Sequence, residues 1–164
     1  MDVTVVIVLL HVLTAGWFVS GLVGRAVTWR YAREATVAST TVALLRASEY
    51  FDRMMVIPGS MVILVLGLLA AWQGGWPVLG FIAGSDSNWL LVSLILYLSL
   101  VPFVPLYLVP RRKIRNALIA RAGAEDHLSP ELTAALNDAG VLAYRRAELV
   151  VVVAVAGLMV TKPF

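Results

Sequence analysis

The chain has 164 residues, of which 60% are hydrophobic and only 14% charged, against about a quarter charged in an ordinary soluble domain. That length fits one domain, and the surplus apolar surface must face something other than water, so an all-α protein embedded in lipid is expected. The absence of cysteine excludes disulfides, thiolate metal sites and thiol nucleophiles.

A helix that crosses a bilayer needs about 20 mostly apolar residues. The first such run, 3–24, is interrupted only by Thr4, His11, Thr14 and Ser20. It follows Met1-Asp2 with no basic leader and is too long for a signal-peptide core, so it reads as a span. Gly16, Ser20 and Gly24 recur every four residues, the small-residue ridge through which helices pack closely in lipid. On the 3.6-residue period the opposite face carries Thr4, Ile7, Val8, His11, Thr14, Ala15, Phe18 and Arg25.

Residues 34–55 carry a helical stripe of Val37, Thr41, Leu44, Ser48, Phe51 and Met55. Arg46–Glu49 and Glu49–Arg53 are spaced as ion pairs on its polar side. This helix is expected to lie along the interface or project inward before Pro58 opens the second span, 54–72. The third span, 89–109, holds no charge, and Pro102 and Pro105, with Pro110 following, predict a kink in its inner half. Such a kink exposes carbonyls to an ion or cofactor, or is a bend rescued by neighbouring helices. Ser129-Pro130-Glu131 has the chemistry of a helix start, and the helix is expected to continue past Gly140 into a fourth span, 141–161. The fold class predicted is a polytopic four-helix membrane bundle with cytoplasmic helical extensions.

The net charge of +3 reports orientation before it reports a nucleic-acid partner. Arg25, Arg30, Arg33, Arg46 and Arg53 fall between spans one and two. Arg111, Arg112, Lys113, Arg115, Arg121, Arg145 and Arg146 fall between spans three and four or at the inner end of the fourth. Of the 13 basic residues only Lys162 lies elsewhere. The basic side is cytoplasmic by the positive-inside rule, which puts both termini outside. Trp72, Trp76 and Trp89 flank the opposite connection, where indole rings favour the interface. Asp52 and Glu148 read as solvated ion pairs beside the arginines. The Arg111–Arg115 cluster reads as an orientation signal or as an attractor of anionic headgroups.

His11 is the only histidine within a span, and an ionisable residue at that depth is a site hypothesis by default. By the rise of about 1.5 Å per residue it lies about 12 Å deep, level with Tyr97 and about a turn from Met61, with Ser93 one turn outward of Tyr97. Neutral imidazole is a haem or metal ligand and a thioether is a known second axial ligand, so His11, Met61 and Tyr97 form a cofactor reading. The alternative is a neutral His11 bonded to a hydroxyl such as Thr14 or Tyr97, serving packing alone. No zinc-protease helix, phosphate-binding glycine loop or nucleophile elbow is present.

Leu10-His11-Val12-Leu13 with Gly16-Trp17, Asp52-Arg53 with Pro58-Gly59, and the ending Met159-Val160-Thr161-Lys162-Pro163 resemble, over essentially the whole chain, a family of predicted bacterial integral membrane proteins of unassigned function. The opening pattern is also similar to copper-resistance D-type membrane proteins and to four-helix haem-type protoporphyrinogen oxidases. The latter resemblance implies haem binding at His11. Those oxidases also use a lysine in a later span, and here Lys113 and Lys162 both lie outside the spans. Two functions stand open. One is a bundle that binds haem b or a metal through His11. The other is a structural or interaction subunit that packs through the Gly16 ridge as a homo-oligomer or beside a membrane partner.

Overall fold

The structure, a computed structural model, describes residues 2–122 and 128–163, and its regular elements are all helical among the described residues. Helix α1, Val3–Glu34, is one uninterrupted rod of 32 residues whose start is capped by the Asp2 carboxylate. It therefore runs ten residues past the end of the expected span, because nothing between Gly24 and Glu34 breaks a helix. The chain turns at 35–37 and returns as α2, Ala38–Phe51.

Helix α2 does not stop at the membrane. A widened π-helical turn, Asp52–Val56, joins it to α3, Ile57–Gln73. The widening has a local cause in Pro58, which lacks an N–H and whose ring presses on the carbonyl of the preceding turn. The helix expected either to lie along the interface or to project inward is thus the first part of one long rod. The third rod begins as α4, Trp89–Leu100, loosens through Val101–Phe103 and a π-helical turn at Val104–Leu108, and resumes as α5, Val109–Ala122. That interruption falls where Pro102 and Pro105 predict it.

Helix α6, Pro130–Leu136, is capped by Ser129 Oγ, which accepts from Leu132 N at 3.2 Å. It does not continue into the last helix as expected. Asn137 and Asp138 leave helical geometry, and Asp138 starts α7, Ala139–Thr161, by accepting from Val141 N at 3.0 Å.

Three rods, Val3–Glu34, Ala38–Gln73 and Trp89–Ala122, are long and apolar enough to cross a membrane. Helix α7, with Arg145, Arg146 and Glu148 in its first half, is a further helix of 23 residues packed antiparallel to α4. Its start meets Tyr107 and Arg111 through Asp138. Its end brings Lys162 Nζ to 4.3 Å from the Trp76 ring centre and 5.6 Å from that of Trp89. The two ends of the molecule are therefore a basic end and a tryptophan end.

The best-buried apolar cluster sits at the basic end, where Trp29, Ala32, Val42, Leu45, Ile119, Leu132, Leu136 and Val141 converge from five helices. A smaller cluster of Phe18, Leu22 and Val56 lies farther up, with Val152 of α7 against it. Towards the tryptophan end the helices expose Val5, Leu9, Leu13, Val65, Leu69 and Val153. The division follows from the solvent. In water, apolar faces must be hidden, whereas lipid tails give such residues no reason to leave the surface.

Candidate functional site

His11 sits on the face of α1 that turns to α3. Its Nδ1 lies 3.1 Å from the Ile63 carbonyl oxygen. A carbonyl only accepts, so in this contact Nδ1 carries the proton and Nε2 of the neutral ring keeps its lone pair. The ring fits because Gly67 has no side chain: a Cβ there would stand 3.0 Å from His11 Cε1. The partner expected for a packing histidine was a hydroxyl of Thr14 or Tyr97, and the partner found is a backbone oxygen.

Tyr97 docks on the same helix, its hydroxyl donating to the Ser60 carbonyl at 2.9 Å. His11 and Tyr97 thus hold carbonyls three residues apart on α3, close to level, without bonding to each other. Ser93 is buried and bonded within α4 to Trp89 O. Met61 is 64% exposed. Among the described residues, no three His, Asp or Glu side chains gather as a metal-ion site.

The small-residue ridge lies elsewhere than expected. A Cβ on Gly16 would meet nothing within 4 Å, and Ser20 is exposed and bonded back to Gly16 O. Of the three residues only Gly24 is packed, its added Cβ falling 2.6 Å from the Phe51 ring. The close approaches within the chain are made by Gly21 against Met55 and Val56, and by Gly59 against Phe18. Within α1, it is the face with His11, Phe18 and Arg25 that turns inward.

The basic end holds a charged cluster that is not solvated. Arg25, 7% exposed, donates from Nη1 to Asp52 Oδ1 at 2.9 Å and from Nη2 to Glu148, tying α1 to the π-helical turn and to α7. Arg115 of α5, also 7% exposed, donates to Glu49 of α2 at 2.7 Å, and Arg112 approaches the same carboxylate at 3.5 Å. Glu49 therefore serves α5, and the pairs expected with Arg46 and Arg53 do not form. The Arg145 guanidinium lies 3.8 Å above the Trp29 ring, and that of Arg115 lies 5.0 Å from the same ring. Asp52 and Glu148, expected as solvated partners, are mostly buried ones.

A second polar junction lies at the surface. Asp138 accepts from Val141 N, from Arg111 Nε at 2.8 Å and from the Tyr107 hydroxyl at 3.2 Å. The backbone N–H above all, with the arginine and phenol, holds the Asp138 carboxyl below the ordinary aspartate range.

Sequence spacing found His11 and Arg25 because both stand out as polar residues on an apolar helix face. It missed the Trp29, Arg115 and Arg145 assembly, whose members are 30 to 116 residues apart and meet only when the helix ends converge. The sequence profile of a family described as predicted integral membrane protein (DUF2269) matches residues 5–163. No curated protein and no solved structure matches the chain.

Proposed function

The chain belongs to this DUF2269 family of predicted integral membrane proteins, and on that premise we propose that it binds haem b through Nε2 of His11 in a bacterial inner membrane. The observation that carries this reading is the His11–Ile63 contact. Histidines that ligate metals usually donate their other ring N–H to a carbonyl or carboxylate, which fixes the tautomer and orients the ring. His11 already has that partner in the Ile63 carbonyl, which leaves Nε2 as the nitrogen with a lone pair.

The donor set fits haem better than a bare ion. Haem arrives with four nitrogen ligands of its own and needs one protein side chain, whereas a metal ion held by protein needs three or four. The described residues offer one histidine and no ligand cluster around it. In this reading His11 would be the one side chain of the chain that holds the haem iron, and Tyr97 would hold α3 in place through Ser60. Met61, turned outward, takes no part. Haem bound there would supply one-electron chemistry, and the resemblance of the Leu10–Trp17 segment to haem-type oxidases and copper-resistance proteins points the same way. The chain's own contributions are ring orientation and exclusion of water.

Protein purified from haem-replete cells is expected to show a Soret band that His11→Ala abolishes and Met61→Leu leaves unchanged. A colourless wild-type protein, or a band indifferent to His11→Ala, would end this reading. A specific observation favours a second reading as an interaction subunit: Gly16 and Ser20 present a small-residue strip facing out of the chain. Under that reading, Gly16→Leu shifts the oligomeric state in detergent and no chromophore is present.

A further inference from the structure

We propose that the basic end contains a binding site for a phosphate-class oxyanion, built around Trp29 by Arg25, Arg115 and Arg145. The supporting observation is a set of hydrogen-bond donors with nothing to donate to. Arg25 Nε, Trp29 Nε1, Arg115 Nε and Arg145 Nη1 are buried and lack acceptors among the described residues. Buried donors are nearly always satisfied, by protein or by something bound. Four in one cluster, all donors, call for an acceptor with several oxygens.

The geometry brings them together. Arg145 stacks on the Trp29 ring at 3.8 Å and Arg115 lies at 5.0 Å, while Arg25 is one helical turn before Trp29 on α1. Trp29 is 4% exposed, so its N–H is shielded from bulk water. The carboxylates do not fill the gap. Asp52 and Glu148 occupy the two Nη atoms of Arg25, and Glu49 takes Nη2 of Arg115.

Charge gives the ligand its sign. Arg25, Arg112, Arg115 and Arg145 face Glu49, Asp52 and Glu148, which leaves one cation in excess. Arg145 is the one without a carboxylate at ion-pair distance among the described residues. Water would satisfy the donors but not that charge, and guanidinium edges suit phosphate oxygens. Depth gives the ligand its sources. Arg25 lies 22 residues beyond Val3 on one uninterrupted helix, about 33 Å by the helical rise, which matches the thickness of the hydrocarbon core. The cluster is therefore level with lipid headgroups and within reach of the aqueous phase. The shared chemistry is an anionic phosphate, from a phosphodiester headgroup or from free phosphate.

The test uses the full chain in a phosphate-free glucoside detergent. Thermal stability and tryptophan fluorescence are followed while inorganic phosphate is added at constant ionic strength against chloride. In a separate series, phosphatidylglycerol is added against phosphatidylcholine. The expected result is a saturable rise in melting temperature with at least one of the two anionic probes. A response to inorganic phosphate identifies the free anion, and a response to phosphatidylglycerol alone identifies the headgroup. Arg145→Gln, which breaks no ion pair, should weaken the response about tenfold, as expected for losing a charged hydrogen bond. Arg146→Gln on the exposed neighbour should leave it intact. Should Arg145→Gln fold poorly, Trp29→Phe keeps the ring, removes the N–H and should weaken the response several-fold. No rise with either probe overturns the proposal. So does equal weakening by Arg145→Gln and Arg146→Gln, which would reduce the effect to surface attraction.

Discussion

At the residue scale the most telling group is Arg25, because its burial converts an ordinary inner-boundary arginine into the tie between three helical segments. Two carboxylates meet it, so removing the guanidinium leaves Asp52 and Glu148 as close like charges in a poorly hydrated place. Breaking a buried pair from one side costs about 3–5 kcal/mol. Arg25→Gln is therefore expected to lower unfolding stability in detergent by about that amount. Arg30→Gln removes an exposed, solvent-screened pair with Glu34 and should leave stability essentially unchanged. Similar losses for the two variants in parallel melts would show that burial at Arg25 is not what matters. The sequence made Arg25 visible as the charged end of the His11 face. It could not say that Glu148, 123 positions away, closes on it, since helix-end convergence leaves no local periodic trace.

At the element scale, the helices themselves were legible and their joints less so. Apolar run length located the three long rods and the proline pair located the break in the third, both being local physical properties. The continuous rod from α2 to α3 was harder to see, because a π-helical turn just before Pro58 lets the helix continue through it. The split between α6 and α7 was also missed, although Asp138 followed by Ala139-Gly140-Val141 is a legible cap once α6 is known to end. The contact surface of α1 was misjudged for a different reason. Gly16, Gly21 and Gly24 lie on different sides of the helix, and a four-residue spacing does not say which side meets a neighbour. The structure selects Gly21, where an added Cβ would stand 2.6 Å from Met55 Cβ. That atom is next to the backbone and cannot swing aside, so Gly21→Ala should destabilise the chain by about 1–3 kcal/mol. Gly16→Ala meets open space and should be neutral or gain slightly from helix propensity. Melting curves of the two variants decide it, and a larger loss at Gly16 would mean that the exposed strip is held by a second chain.

At the scale of the whole molecule the remaining question is how it sits in the membrane, and we expect both termini outside the cytoplasm. Charge supplies one argument: Arg30, Arg33, Arg46, Arg53, Lys113, Arg121 and Arg146 are exposed at the basic end, the placement that the anionic inner leaflet favours. The course of α7 supplies another that does not depend on charge. Its 23 residues span about 34 Å by the helical rise, and Lys162 at its far end rests on Trp76 and Trp89. A helix that starts at Asp138 among the arginines and ends on the tryptophan loop has passed through the same thickness as α4. Arg145 and Glu148 do not forbid this, since both lie in its first three turns and are engaged with Trp29 and Arg25. The expectation is that alkaline phosphatase fused after Phe164 is active, that a fluorescent protein fused there is dark, and that the same pair inserted near Gly84 behaves identically. A fluorescent C-terminal fusion with an active phosphatase near Gly84 would put the two ends of α7 on one side, leaving it as a surface helix on a three-span protein.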